Sequence, residues 1–158
     1  MERTRKLINE IRSAFAGVQL GDGVSWREAP IIDDYGSDQE RAAVRKLDEK
    51  ENWENIPLDL IIDLRYQSVL SFLDAEGLRF YLPVCMIHYI EGDDSSGSAV
   101  VASLPSQLAS RETSKELIPL LSKDQIACVR SFLQSHVEGS GYSPKREAIR
   151  QSIKDHWT

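Results

Sequence analysis

The sequence lacks the motifs by which several common enzyme classes are identified. It contains no glycine-rich phosphate loop, no HExxH pair, no GxSxG nucleophile elbow and no CxxC. These absences remove the familiar signatures of phosphate-loop proteins, zinc metalloproteases, α/β-hydrolases and thiol oxidoreductases. Function therefore has to be inferred from composition, helix patterns and individual side chains.

Long apolar runs and cysteines are also scarce. No segment reaches the ~18 consecutive apolar residues that a membrane span requires, and the start, MERTRKLINEIRSAF, has no apolar signal core. Cys85 and Cys128 lie in apolar helical patterns, where reduced core thiols are the usual finding, although a disulfide between them is also compatible with the sequence. We therefore expect a cytoplasmic protein without a membrane partner.

Positive charge is in the minority. The chain has 19 Lys and Arg against 25 Asp and Glu, for a net charge of −6. Such a surface repels a phosphate backbone, so no nucleic-acid partner is expected. The length of 158 residues and the hydrophobic fraction of 41% predict a single globular domain over 1–158.

Helical periodicity predicts an all-α fold, a compact bundle of about seven helices. Ala148, Ile149, Ile153 and Trp157 fall about four apart, so the last helix should dock on the core. Ala99 to Leu104 could be a helix or a strand, and the helix is favoured because no second strand candidate exists. Capping boxes predict three helix starts, formed by Ser25 with Glu28, Ser37 with Glu40, and Ser122 with Gln125.

The centre of the predicted fold is the apolar and aromatic stretch 70–91, LSFLDAEGLRFYLPVCMIHYIE. Asp74 is placed to cap a helix beginning at Ala75, and Pro83 should kink or divide that helix. Residues 92–98 are predicted to be a flexible loop and 105–116 an irregular segment. A further helix is expected to end at Gly139.

A candidate binding cluster lies within this central stretch. Glu76, Arg79, Tyr81 and His88 are polar side chains in an otherwise apolar run, and together they could serve acid–base chemistry or anion binding. The simpler interpretation is that Glu76 and Arg79, three residues apart, form an ion pair on one helix face.

A candidate acidic cluster precedes it, formed by Glu28, Asp33 and Asp34, with Tyr35 directly after the two aspartates. These carboxylates could bind a hard cation through oxygen. A buried salt bridge is the favoured interpretation over a magnesium site, and Arg27 or Arg79 is the simplest partner for the two aspartates.

A zinc site is considered and not favoured. Cys85 and His88 share a helix face, but Cys128 and His136, eight residues apart, do not form a close ligand pair. Neither a metal nor a cofactor is therefore predicted.

Four sequence blocks resemble a family of small bacterial proteins of unknown function. They are GDGVSWREAPIIDDYGS, WENIP, SFLDAEGLRFYLPVCM and LSKDQIACVRSFL, and the resemblance extends from Ile11 to Trp157. The block SFLDAEGLRFYLP is its most specific part. The resemblance implies one compact domain and brings no activity, cofactor or substrate with it.

The leading functional hypothesis is a non-enzymatic protein-interaction or regulatory module, for example an immunity protein. Its basis is the acidic charge, which could steer a basic partner, and the absence of catalytic motifs. One alternative is a small-ligand-binding protein or enzyme that uses Glu76, Arg79, Tyr81 and His88. A structural homodimer, to be tested by solution mass, is the other alternative.

Overall fold

A computed structural model describes residues 2–92, 98–138 and 143–158 of the chain. These residues form nine α-helices and five short 3-10 helices with no strand among them, which confirms the predicted all-α class. The α-helices are α1 (Glu2–Ala14), α2 (Glu28–Asp33), α3 (Asp38–Arg45), α4 (Leu58–Ile61), α5 (Ala75–Glu91), α6 (Leu104–Ala109), α7 (Arg111–Leu117), α8 (Lys123–Val137) and α9 (Pro144–His156). The 3-10 helices are Trp53–Asn55, Leu64–Tyr66, Val69–Ser71, Ser98–Val100 and Ile118–Leu120.

The chain divides into two compact units. The terminal unit combines Met1–Ala16 with Ser103–Thr158 and so contains α1 and α6 to α9. The middle unit, Gly17–Ala102, contains α2 to α5. The organisation of 1–158 as a single domain stays a prediction.

In the terminal unit, α8 packs against both α1 and α9. The Gln125 side-chain amide, in the first turn of α8, donates to the Ala14 carbonyl at the end of α1 at 3.0 Å. Arg3, near the start of α1, pairs with Glu138 just after α8. Helices α1 and α8 are therefore antiparallel. The predicted capping box of Ser122 and Gln125 is present, so Gln125 both caps α8 and ties it to α1.

The C-terminal helix α9 packs against α6, α7 and α8, as its spacing predicted. Ile149, Ile153 and Trp157 are buried, whereas Ala148 is exposed. The Trp157 indole Nε1–H also donates to the carbonyl of Leu108 at 3.0 Å. The end of the chain is thus held by both apolar packing and a buried hydrogen bond.

In the middle unit, α5 is an internal helix of 17 residues. Its apolar residues are distributed around the whole circumference, which is typical of a buried helix. Asp74 is its N-cap, as predicted, and the helix continues through Pro83 without being divided. Nine of its residues are buried, namely Gly77, Leu78, Phe80, Tyr81, Leu82, Pro83, Cys85, Met86 and Ile87.

The segment 105–116, predicted to be irregular, is helical instead. It contains most of α6 and α7, with Pro105 in the first turn of α6. The Ser110 side chain caps α7 by accepting from the Thr113 N–H at 3.1 Å. Helices of six and seven residues offer too few periodic positions to be recognised, so the predicted number of about seven was too low. The predicted loop 92–98 lies, apart from its end residues, outside the described residues, as does Gly139.

Candidate functional site

Glu28 is the centre of a buried ion-pair network in the middle unit. Its side chain is 6% exposed, and Oε1 accepts from Arg45 Nη1 at 2.7 Å. Oε2 accepts from Arg41 Nε at 3.2 Å, and the Ser25 N–H donates to Oε1 at 3.1 Å. Burial raises the pKa of Glu28, but the hydrogen bonds from Arg45 and Ser25 outweigh burial, so the pKa lies below its ordinary value.

Arg45 also fixes the loop that precedes α2. Nη1 donates to the Gly23 carbonyl at 2.5 Å, and Nη2 donates to the Gly21 carbonyl at 2.6 Å. Because the same guanidinium binds Glu28, one side chain of α3 joins the loop and α2 into a single hydrogen-bonded block.

A second buried carboxylate, Asp48, holds the other end of this block. Asp48 is 5% exposed and accepts from both the backbone N–H of Arg27 (2.8 Å) and its guanidinium Nη1 (2.5 Å). The ammonium of Lys50 donates to the carbonyl of Asp48 at 2.8 Å. Arg27, one of the two arginines predicted as a partner for Asp33 and Asp34, is therefore engaged by Asp48 instead. Glu28 pairs with Arg45 and Arg41.

The loop also packs tightly on the first turns of α5. Asp74 Oδ1 accepts from the Gly77 N–H (2.8 Å), which caps the helix, and from the Val24 N–H (2.9 Å), which ties the loop to it. A Cβ on Gly77 would lie 2.5 Å from the Val24 carbonyl oxygen, and one on Gly23 would lie 2.6 Å from the Gly77 nitrogen. Glycine is required at both positions because two backbones approach each other here.

Tyr81, a member of the candidate binding cluster, belongs to this packing. It is 1% exposed, its hydroxyl accepts from the Trp26 N–H at 2.8 Å, and the two rings lie 5.0 Å apart. Burial raises the pKa of Tyr81, and the carboxylate of Asp48 adds to the rise. The phenol is therefore neutral and engaged by backbone.

The other members of that cluster are spread along α5. Glu76, Arg79 and His88 are half-buried, and Glu76 and His88 are twelve residues apart, or about 18 Å along a helix axis. Arg79 and Tyr81, two residues apart, point about 200° apart around the axis. The structure does not bring these four side chains together at one point.

The members of the acidic cluster differ in how far they are buried. Glu28 is inside the ion-pair network, whereas Asp33 and Asp34 are exposed at the end of α2. Directly after them, Tyr35 has a φ of 58° and is 97% exposed. The sequence singles out Tyr35 only as the residue that follows the two aspartates, and it predicts neither the exposure of its side chain nor its left-handed backbone.

The turn after α2 has the geometry of a Schellman motif. The Gly36 N–H donates to the Ile31 carbonyl at 2.7 Å, and the Tyr35 N–H donates to the Ile32 carbonyl at 3.1 Å. Tyr35 occupies the left-handed position where glycine is usual. Helix α3 then begins with the predicted capping box of Ser37 and Glu40. We call residues 33–40 the α2–α3 tip.

The cysteines are free and buried. Burial raises the pKa of Cys85 to about 12 and that of Cys128 to about 11, so both are protonated thiols at neutral pH. Within the described ranges, no group of three or more His, Cys, Asp and Glu side chains is placed to hold a metal ion. Nor does the described part of the chain contain a helix long and apolar enough to cross a membrane.

Comparison with known proteins adds a family and no activity. No curated protein and no solved structure matches the chain. One family model matches residues 3–158, nearly the whole sequence, and its description is a family of unknown function, DUF6714. The chain therefore belongs to the family of unknown function DUF6714.

Proposed function

We propose that this protein is a non-enzymatic interaction module that binds a basic partner protein through the α2–α3 tip. The observation that carries the proposal is Tyr35, which is 97% exposed and has a positive φ. A left-handed conformation costs a residue with a Cβ about 1 kcal/mol. An almost fully exposed side chain recovers little of that cost from packing within its own chain, so glycine would be the better residue for stability alone.

The charge around Tyr35 indicates the kind of partner. Residues 33–40 contain Asp33, Asp34, Asp38 and Glu40, all exposed, and no lysine or arginine. Carboxylates around an aromatic side chain suit a basic surface, because they steer its approach while the ring supplies contact area. The overall charge of −6 acts in the same direction.

The base of the tip is held in place before any partner arrives. Arg41 and Arg45 on α3 both bind Glu28 on α2, so the two helices that carry the tip are cross-linked by ion pairs. A surface that is already ordered loses less conformational entropy on binding. The network thus supports the tip as a preformed binding surface.

We propose that the protein is bacterial and located in the cytoplasm. We also propose that the block SFLDAEGLRFYLP is specific to its family. The free, buried thiols of Cys85 and Cys128 support a reducing compartment. The alternative of a ligand site at Glu76, Arg79, Tyr81 and His88 is less well supported, because the Tyr81 hydroxyl is occupied by the Trp26 N–H.

Site-specific photo-crosslinking in native lysate tests the proposal. A photoreactive phenylalanine analogue at position 35 should give one covalent adduct with a protein of high isoelectric point. The same analogue at Leu64, which is 58% exposed and also in the middle unit, is the matched control and should give none. No adduct at position 35, or the same adducts from both positions, would contradict the proposal.

Charge reversal separates the tip from general acidity. Asp34→Lys should abolish the adduct, whereas Glu54→Lys, also an exposed acidic residue of the middle unit, should leave it unchanged. Equal effects of the two substitutions would mean that only overall charge matters.

A further inference from the structure

A groove of about 960 Å³ lies in the terminal unit, lined by side chains of α1 and α8. Its volume is near the upper end of the range typical of small-ligand sites. Small side chains contribute to its lining, which are Ser13 and Ala14 on α1 and Ala127 and Ser131 on α8. Because these side chains are short, the two antiparallel helices leave the space between them unfilled.

The charged side chains of the groove are ordered along it. Glu10 is followed in the groove by Ser13 and Ala14, at the end of α1 that meets the start of α8, where Asp124 is. Arg5 and Lys6 line the groove toward the opposite end. The rise of an α-helix places Arg5 and Glu10 about 7.5 Å apart along the axis.

Cys128 lies near the acidic end of the groove. Its thiol lines the groove and is 5% exposed. Burial is the main cause of its raised pKa, and Glu10 and Asp124 both add to the rise. The carboxylates of Glu10 and Asp124, one from each helix, therefore both act on the Cys128 thiol.

The existing charge pairing in the groove is weak enough to be displaced. Lys6 Nζ lies 4.0 Å from Glu10 Oε1, and their side chains are 80% and 45% exposed. Exposed pairs at this separation contribute little to stability. Glu2 also lines the groove, in the first turn of α1, where the helix N-terminus offsets its charge.

We propose that this groove binds a short zwitterionic peptide of two or three residues, with its ammonium group at Glu10 and Asp124 and its carboxylate at Arg5. An extended chain spans about 3.3–3.6 Å per residue, so two or three residues match the separation of the two charged ends. The small lining residues leave room for the peptide backbone and short side chains. The site is independent of the α2–α3 tip, which belongs to the middle unit.

Calorimetric titration of the full chain with trialanine tests the proposal. N-acetyl-trialanine, which lacks the ammonium, and trialanine amide, which lacks the carboxylate, should each bind at least about tenfold more weakly. Saturable binding of trialanine, together with weaker binding of both blocked peptides, would support the site. Absence of binding at millimolar trialanine, or equal binding of the blocked peptides, would overturn the proposal.

Substitutions in the two ends should have selective effects. Glu10→Gln should weaken trialanine about tenfold and leave the already weak N-acetyl-trialanine unchanged, because the ammonium contact is absent from that complex. Arg5→Gln should weaken trialanine about tenfold and leave the already weak trialanine amide unchanged, because the carboxylate contact is absent from that complex. Arg12→Gln, on an exposed position of α1 outside the groove, is the matched control and should change neither. A general structural effect would instead weaken all three peptides together.

A substitution that fills the groove distinguishes peptide binding from contact between two copies of the chain. Ala127→Trp should abolish trialanine binding while the melting temperature and circular dichroism stay near those of the unmodified chain. If the chain is instead a dimer by sedimentation, and Ala127→Trp makes it monomeric, the groove is a surface between two copies and the peptide proposal is wrong.

Discussion

At the scale of the residue, the two least ordinary positions are Tyr35 and Glu28, and they differ in how far sequence could identify them. Glu28 was singled out as a carboxylate beside a capping serine, and a salt bridge was favoured over a metal. Its partners, Arg41 and Arg45, come from the following helix. No spacing rule predicts them, because the pairing depends on how α2 and α3 pack.

Tyr35→Gly should leave the fold at least as stable and is expected to raise the free energy of unfolding by up to about 1 kcal/mol, because the left-handed conformation is unstrained for glycine. Urea denaturation measures this difference. Leu47→Gly is the control, since Leu47 is 69% exposed and has no positive φ, and it should lower stability. A destabilised Tyr35→Gly would remove the argument that Tyr35 is retained for binding.

Glu28→Gln should destabilise the fold by about 2–3 kcal/mol. Breaking a fully buried pair costs about 3–5 kcal/mol, but the side chains of Arg41 and Arg45 are 34% and 26% exposed, and solvent screens part of the loss. Thermal unfolding measures it. Glu54→Gln, at an exposed position, should change little.

The same carboxylate predicts a pH dependence. The pKa of Glu28 is lower in the folded chain than its ordinary value of 4.5, so its contribution is complete above that pH. As the pH falls through the folded-state pKa, the contribution is lost. The stability difference between the native chain and Glu28→Gln should therefore shrink in acid, as measured by urea denaturation at pH 7 and pH 3. A constant difference would contradict the assignment.

At the scale of the element, local capping signals predicted helix starts well, and tertiary packing decided the rest. The boxes at Ser37 and Ser122 are present. At Ser25 the reach-back bond to Glu28 forms, but the Glu28 N–H donates to the Ser25 carbonyl and not to its hydroxyl. The capping box is therefore incomplete, and α2 begins only at Glu28. Short helices such as α6 and α7 depend on neighbours for their stability, which periodicity cannot register.

Gly77→Ala should lower stability by about 1–3 kcal/mol, although alanine is normally the better residue inside a helix. The added Cβ would lie 2.5 Å from the Val24 carbonyl oxygen and 2.9 Å from Asp74 Oδ1, so either the loop or the cap must shift. Chemical denaturation measures this change in stability. Gly23→Ala, on the other side of the same contact, should have an effect of the same sign. A stabilised Gly77→Ala would mean that the loop containing Val24 can move away from α5 at little cost in stability.

At the scale of the whole molecule, helical periodicity predicted the all-α class, which the described residues confirm. The family model confirms membership of a family of unknown function. The division into two units was not predicted, because the helical patterns on either side of residues 17 and 102 look alike. Only contacts between distant segments, such as Gln125 with Ala14, reveal which helices belong together.

Binding of the proposed basic partner should depend strongly on salt. With a net charge of −6 and four exposed carboxylates around Tyr35, raising NaCl from about 50 to 500 mM should slow association at least tenfold. Stopped-flow or surface-plasmon kinetics with the crosslinked partner measure this, and dissociation should change much less. A rate that does not respond to salt would exclude charge steering.

The terminal unit joins two segments, Met1–Ala16 and Ser103–Thr158, which are synthesised at different times because the middle unit lies between them. Helix α1 leaves the ribosome well before α8, on which it packs and which begins only at Lys123. At about 5–20 residues per second, more than a hundred residues take roughly 5–20 s to follow. During that interval the apolar face of α1, with Leu7, Ile8 and Ile11, has no α8 to cover it. The middle unit, Gly17–Ala102, is complete before α8 has been synthesised, so the terminal unit is expected to fold after it.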